Sequence, residues 1–303
     1  MQKTVILIAG PTAVGKTELA IRIAKRFDTS IISVDSRQCF QELNIGVAKP
    51  TAQELQTVPH YFINTHAVHE QVTAASFETY ALEVADKLFQ TKDIIVMAGG
   101  TGLYIKAFLE GMDEIPAVAE TVRHQLTALY EANGIDWLKN EVTQKDPLFA
   151  AEGEMQNPQR ILRALEVMEA TGKSIISYQQ GTRKKRAFEV VQIGLELPRE
   201  ELYNRINQRV DEMMQHGLLE EVKALQPWQQ LNALQTVGYR ELFDYFNGTF
   251  SLEQAINKIK QNTRHYAKRQ LTWFKRNDAM KWFHPGAEAD IKSYLETQLK
   301  KSC

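Results

Sequence analysis

Residues 10 to 17 read GPTAVGKT. Gly10 and Gly15-Lys16-Thr17 complete the pattern G-x-x-x-x-G-K-[ST], enclosing Pro11, Thr12, Ala13 and Val14. An apolar TVILIA precedes the segment and ELAIRIAK follows it, so it joins a strand to a helix, the setting in which this pattern holds a polyphosphate. The glycines let backbone N–H groups point inward, the helix N-terminus adds the positive end of its dipole, and Lys16 adds a full charge. Thr17 is placed to bind a Mg²⁺ that bridges phosphate oxygens. Context and spacing together favour phosphate binding over a glycine-rich turn with no ligand.

The loop does not say which polyphosphate. An ATPase or GTPase also needs an acidic residue after a further strand and a group that orients water. The strand DIIVMA ends instead in Gly99-Gly100-Thr101. The nearest acidic candidate is Asp35, at the end of SIISVD. Its carboxylate suits Mg²⁺ binding or a role as a base, and spacing separates neither. Arg205 and Arg209 lie four apart on a helix whose other face is Leu202, Ile206 and Val210; they read equally as an exposed pair or as a phosphate clamp. His60, His66 and His69 cluster in sequence without an H-E-x-x-H arrangement, which favours ordinary surface or core histidines over a metal site.

A second group of residues suits nucleic acid. Between Glu253 and Asp278 no acidic residue occurs, whereas Lys258, Lys260, Arg264, Lys268, Arg269, Lys275 and Arg276 do. Lys260, Arg264 and Lys268 recur every four residues and so share a helix face, a stripe read here as contacting a phosphate backbone. Tyr266, Trp273 and Phe274 are interleaved and read as core. Arg183-Lys184-Lys185-Arg186 is a further cluster that alone reads as a solvated loop.

The elements that must carry these residues follow from periodicity. TVILIAG, SIISVD, DIIVMAGG, AFEVVQIGLEL (187–197) and MKWFHP read as strands separated by helical stretches, which implies a parallel sheet with helices on its faces. The first helix puts Leu19, Ala20, Ile23 and Ala24 on one face. After Gly111, GMDEIPAVAE reads as a linker and residues 117 to 180 as helical. The clearest helix is NPQRILRALEVMEATG, with Asn157 as N-cap, Pro158 at the first position, Gly172 at the end, and Ile161, Ala164, Leu165 and Met168 as its apolar stripe. The expected organisation is an α/β core of residues 1–112 and 187–303, interrupted by an all-helical insertion, 113–186.

Composition bounds the function. The 303 residues are 44% hydrophobic and 24% charged, which suits a soluble globular protein. No apolar run approaches the roughly 18 residues needed to span a bilayer, and VILIAG is too short for a signal peptide, so the expected location is cytoplasmic, without a membrane partner. Cys39 and Cys303 are the two cysteines, too few for a disulfide framework or a four-ligand zinc site. With a net charge of −1, nucleic-acid binding must rely on local patches.

Taken in order, GPTAVGKT, SVDSRQ, NIGVAKP, AGGTGLY, NPQRILRALEV, RINQRVDEMM, VGYRE and AKRQLTWFKR resemble the tRNA dimethylallyltransferases (tRNA isopentenyltransferases), from residue 4 to about 277. The resemblance implies a P-loop NTPase-like core. It implies transfer of a dimethylallyl group from dimethylallyl diphosphate to N6 of the adenosine 3′ of the anticodon, in tRNAs reading codons that begin with U. Mg²⁺ on Thr17 would assist. Residues 10–17 would hold the diphosphate leaving group, helped by Thr101 and Arg209, and Asp35 would accept the N6 proton. Asp35, Ser36, Arg37 and Gln38 would line the channel of a flipped base, Gln38 being suited to an adenine edge. Gln159, Arg160, Ile161, Leu162 and Arg163 match the tRNA-contacting segment of the insertion, with Arg123 as a further contact. Arg240, Lys268 and Arg269 fall in segments that face the tRNA.

The chain departs from the family where Cys39 and Phe40 follow DSRQ in place of an aliphatic residue and Tyr, and where Glu154-Met155-Gln156-Asn157 replaces His-Pro-Asn-Asp. Two cysteines cannot make the C-terminal zinc finger of eukaryotic members, so the architecture is of the bacterial type. The expected partner is the tRNA anticodon stem-loop, the expected state a monomer with no protein partner evident. The rivals are a P-loop small-molecule kinase, which leaves the basic helix unexplained, an adenylate prenyltransferase, which would not need that helix, and a nucleotide-switched RNA-binding protein, which gives Asp35 and Thr101 no role.

Overall fold

The computed structural model describes residues 2–179, 181 and 183–301; Cys303 lies outside the described residues. Six strands form one parallel sheet: β1 (Thr4–Ala9), β2 (Ile31–Val34), β3 (His60–Tyr61), β4 (Ile94–Gly99), β5 (Glu189–Leu195) and β6 (Lys281–Phe283). Their spatial order is β3-β2-β4-β1-β5-β6. The helices are α1 (Lys16–Arg26), α2 (Ala52–Thr57), α3 (Ala74–Phe89), α4 (Gly102–Glu110), α5 (Glu120–Lys145), α6 (Pro147–Glu152), α7 (Pro158–Thr171), α8 (Arg199–Gln215), α9 (Leu218–Ala224), α10 (Tyr239–Phe246), α11 (Leu252–Phe274) and α12 (Glu288–Lys301). This is the α/β core expected from the alternation of strands and helices. The two-residue strand β3 carries too little pattern to be read from sequence.

The chain divides into two compact units, residues 1–109 with 185–303, and residues 110–184. In the first unit every residue of β1 and β2 is buried, because a parallel sheet covered on both faces has no polar side. Ile6, Ile8, Val96 and Ile193 pack with Leu19, Ala20, Ile23 and Ala24 of α1. Each such side chain stabilises the fold by about 1.5–3 kcal/mol on burial. Ala9 pairs in register with Gly99, and Gly99 with Val34, so β1, β2 and β4 end side by side. Their following loops carry residues 10–15, 35–38 and 100–101. Ligands of open α/β sheets bind outside these carboxyl ends.

The second unit is helical. Residues 120–145 are two helical segments meeting at Gly134, whose φ of 78° breaks the helix. In α7 the Asn157 side chain accepts hydrogen bonds from the N–H groups of Gln159 and Arg160, and Gly172 closes the helix at φ 68°. Ile161, Leu162, Ala164 and Leu165 are buried with Leu138, Val142 and Phe149. The side chains of Ile161 and Leu162, expected among tRNA contacts, are therefore core, leaving the exposed Gln159 and Arg160 and the half-buried Arg163 on the accessible side of α7.

The cluster at 183–186 is not a uniformly solvated loop. Arg186 pairs with Glu78 at 2.8 Å, both side chains nearly buried, and donates to the carbonyls of Ala107 and Phe108. It anchors the return of the chain to β5.

Candidate active site

The phosphate loop begins at Gly10, whose φ of 153° and closeness to the Leu195 carbonyl (2.7 Å from a would-be Cβ) exclude any other residue. At its far end Gly15 takes a left-handed conformation and starts α1 with no side-chain cap. The first amides of α1 therefore carry no side-chain acceptor from the cap and are directed as an anion site requires. The Lys16 ammonium donates to the Pro11 carbonyl at 2.7 Å. Burial, then the neighbouring Arg209, lower its pKa to about 7, with Asp35 opposing the shift.

Arg209 comes from α8. It reaches the Thr12 hydroxyl at 3.5 Å, and burial lowers its pKa. Arg205, one turn earlier, pairs with Glu201 at the surface. The geometry thus separates two arginines that spacing left equivalent: Arg209 faces the loop, and Arg205 sits at the rim. Two adjacent cations with no ion-paired carboxylate among the described residues form an arrangement that a di- or triphosphate would neutralise.

Asp35 follows β2. Its Oδ1 accepts hydrogen bonds from the N–H groups of Arg37 (2.8 Å) and Gln38 (3.2 Å), which fixes the carboxylate, while Oδ2 accepts none from the described residues. Thr101, after β4, accepts from the Ser36 N–H at 3.1 Å through Oγ1, and its side chain is near enough to the Tyr266 hydroxyl to oppose the rise in that group's pKa. The N–H groups of Gly100 and Thr101 both donate to the Val34 carbonyl, locking the β4–α4 turn to the end of β2. Thr17 and Asp35 line one cleft of about 430 Å³ with Lys16, Arg209 and Tyr266. The oxygen groups offered there are hard, the Thr17 hydroxyl and the Asp35 carboxylate with Glu18, Glu54 and Glu212 also on the lining, and they suit Mg²⁺ shared with phosphate oxygens; among the described residues no set of three or more His, Cys, Asp or Glu gathers into a cage for a softer metal. His60 instead bonds the Val58 carbonyl through its ring.

A chamber of about 360 Å³ also reaches Thr12, Asp35 and Arg209. Its wall includes Val47, Ala48, Ile206, Val210, Met213 and Val237. Ile206 and Val210, three residues before and one after Arg209 on α8, are buried as expected of the face opposite the arginines, and they back this chamber. Glu221 was missed in the sequence. Its carboxylate accepts from the N–H groups of Asn44, Ile45 and Gly46 and from the Tyr239 hydroxyl, holding the loop that lines this chamber.

Three expectations are corrected. Gln38 does not present a free amide: it accepts from the Ser33 hydroxyl and donates to the carbonyls of Val47 and Ala48. The basic stripe of α11 is split, because Lys260 pairs with Asp211 and Arg264 donates to Asn207, while Lys268 remains exposed beside Arg269. The aromatics divide as well. Phe274 is core, but Tyr266 and Trp273 are 36% and 37% exposed. The Tyr266 hydroxyl end is enclosed in the cleft, where burial and then Asp35 push its pKa up to about 12. Lys268, Arg269 and Trp273 line a shallow surface depression with Arg276, and Arg240 is exposed at the chamber's edge. In the helical unit Arg123 holds both oxygens of the buried Glu166 (3.1 and 3.2 Å), and Arg163 joins it at 3.0 Å. Cys39 and Phe40, where the chain departs from the family, are both buried, and burial pushes the Cys39 thiol up to about 12.

The IPP transferase family model matches residues 38–277. The tRNA dimethylallyltransferase 1 of Bacteroides fragilis is 45% identical, over 98% of this chain and 99% of its own length. The tRNA dimethylallyltransferase of Cytophaga hutchinsonii is 44% identical over 99% of each. Among solved structures, the tRNA isopentenylpyrophosphate transferase of Bacillus halodurans superposes with a TM-score of 0.73 at 34% identity, covering 99% of this chain and 98% of that one. A eukaryotic dimethylallyltransferase acting on tRNA gives 0.73 at 28% identity, over 90% of this chain and 70% of that one. With its phosphate loop, fixed carboxylate and flanking cations in one cleft, and with this similarity along its whole length, the chain belongs to the IPP transferase family of tRNA dimethylallyltransferases.

Proposed function

We propose that the enzyme acts in the cytoplasm as a monomer, moving the dimethylallyl group of dimethylallyl diphosphate to N6 of the adenosine 3′ of the anticodon, in tRNAs reading codons that begin with U. The observation that carries this reading is the joining of a cationic phosphate loop, a free carboxylate oxygen on Asp35 and a chamber around Arg209 whose mixed lining includes Val47, Val210, Met213 and Val237.

The diphosphate sits on the amides of residues 10–17, against Lys16 and Arg209, with Thr101 at its edge. Val47, Val210 and Met213 receive the hydrocarbon and exclude water. The base leaves the anticodon loop, which costs little in a single strand, and enters beside Asp35. The N6 lone pair forms the new N–C bond as the C–O bond to diphosphate breaks and its electron pair leaves with the diphosphate. Asp35 takes the N6 proton, and the loop amides and Lys16 meet the growing charge on the leaving oxygens. Thr17 would hold Mg²⁺, which supplies further neutralisation of the diphosphate. Arg240, Lys268 and Arg269 contact the RNA backbone; Gln159 supplies a contact from the helical unit, and Arg160, Arg163 and Arg123 join it where RNA draws them from Glu154 and Glu166.

The test offers the protein tRNA, labelled dimethylallyl diphosphate and Mg²⁺, with parallel reactions containing labelled ATP or AMP. Prenyl label on one adenosine beside the anticodon is the expected result. Phosphoryl transfer from ATP, or label on AMP with none on tRNA, would overturn it.

A further inference from the structure

Helix α11 places Tyr266, Gln270 and Trp273 on one face, at spacings of four and three. That face lies along the turn after β4, and each side chain meets a different residue of it. The Tyr266 hydroxyl lies beside the Thr101 side chain. The Gln270 amide donates to the Gly100 carbonyl at 2.8 Å. Trp273 covers Gly102, where a Cβ would lie 2.3 Å from its indole nitrogen. Gly100 has the same constraint, since a Cβ there would lie 2.3 Å from the Gln270 nitrogen. The two glycines flanking Thr101 are thus the complement of two side chains on α11.

Gln270 does more than fill space. It is buried (7% exposed), and its other amide atom, Oε1, accepts from the Thr12 N–H at 2.9 Å. One side chain therefore ties the phosphate loop to the turn that carries Thr101, and Thr101 in turn holds the Ser36 N–H beside Asp35. Neither the P-loop pattern nor the proposed chemistry needs a glutamine on a distant helix. A planar amide that donates at one end and accepts at the other fixes the separation of two loops as no apolar side chain can.

We infer that Gln270 is a positioning residue for the transfer, setting the distance between the loop that holds the leaving group and the turn that orders Thr101 and Asp35. The inference rests on the prenyl-transfer reading above. A misplacement of about 1 Å between reacting groups can cost around a hundredfold in rate. Removing the amide leaves the Thr12 N–H and the Gly100 carbonyl without their shared partner, so the two loops move independently.

The test is single-turnover transfer at saturating tRNA and labelled dimethylallyl diphosphate, using wild type, Gln270→Ala, Gln270→Glu and Gly100→Ala. Gln270→Ala is expected to lower the rate constant by about ten- to a hundredfold, with KM for both substrates little changed. Gln270→Glu keeps the acceptor for Thr12 but turns a carboxylate oxygen on the Gly100 carbonyl beside the anion cleft, and should lose at least as much rate as Gln270→Ala. Gly100→Ala pushes the amide out of place and should resemble Gln270→Ala; because it leaves Gln270 intact, it decides the matter if that variant does not fold. Rate constants at the wild-type level in the folded variants, or losses that appear only in KM or in thermal stability, would overturn the inference. No transfer by the wild-type enzyme would overturn the prenyl-transfer reading instead.

Discussion

At the scale of single residues the chemistry turns on Asp35, Lys16 and Arg209, with Glu54 and Glu212 also facing the cleft. Asp35 is fixed through one oxygen, so Asp35→Asn, which keeps the acceptor for Arg37 and Gln38, isolates the loss of the base. It should lower kcat by about a hundredfold or more while tRNA binding persists; turnover close to wild type would remove Asp35 from that role. Lys16 gives a pH signature. Its pKa of about 7 lies below the ordinary 10.5, so the unfolded chain binds more protons between these values and this residue's effect is to raise stability with pH there. Binding runs the other way, because a diphosphate favours the charged ammonium. Affinity for the donor should therefore fall as pH rises from about 7 to 9, by up to about tenfold per unit, with proton uptake on binding. Calorimetry in two buffers of different ionisation enthalpy measures that uptake. Zero uptake at pH 8 would mean that Lys16 is fully charged in the free enzyme.

At the scale of elements, the segments are held to one another by a few polar side chains. Glu221, on α9, accepts three backbone N–H groups of residues 44–46 and the hydroxyl of the fully buried Tyr239. Glu221→Ala strands that hydroxyl and frees the loop, at a cost of about 2 kcal/mol or more. Hydrogen exchange should quicken first at residues 44–48, and an unchanged exchange pattern there would show that the loop is held by other contacts. These ties explain what could be read from sequence. The phosphate loop, the strands other than β3 and the Asn157 cap obey local rules of spacing, so they were legible, as was the helical insertion. The division of Arg205 from Arg209, the closed amide of Gln38 and the pairing of Lys260 with Asp211 depend on partners far away in the chain. The resemblance brought Thr101 and Arg209 forward, but it gave no reason for their placement. For Thr101 that reason is the shared end of β1, β2 and β4, where pairing in register puts three loops side by side; Arg209 comes instead from α8, which follows β5.

At the scale of the whole molecule, 36 basic and 37 acidic side chains nearly cancel, so long-range attraction to RNA must come from where the charges sit. Some basic side chains are already paired with carboxylates within the fold, as Lys260 is with Asp211 and Lys275 with Glu196. Lys268 and Arg269 are exposed on α11 beside Trp273, in a surface depression without an acidic lining residue. Phosphate contacts release counterions, so tRNA affinity should fall linearly with salt on logarithmic axes. Lys268→Ala or Arg269→Ala should each reduce that slope by about one, and Lys260→Ala should leave it nearly unchanged, since its charge is already paired. Titrations at four or more salt concentrations would separate these cases. Equal slopes for wild type and the Lys268 and Arg269 variants would move the RNA path off this face of α11, and a slope change with Lys260→Ala would show that RNA displaces Asp211 from its partner.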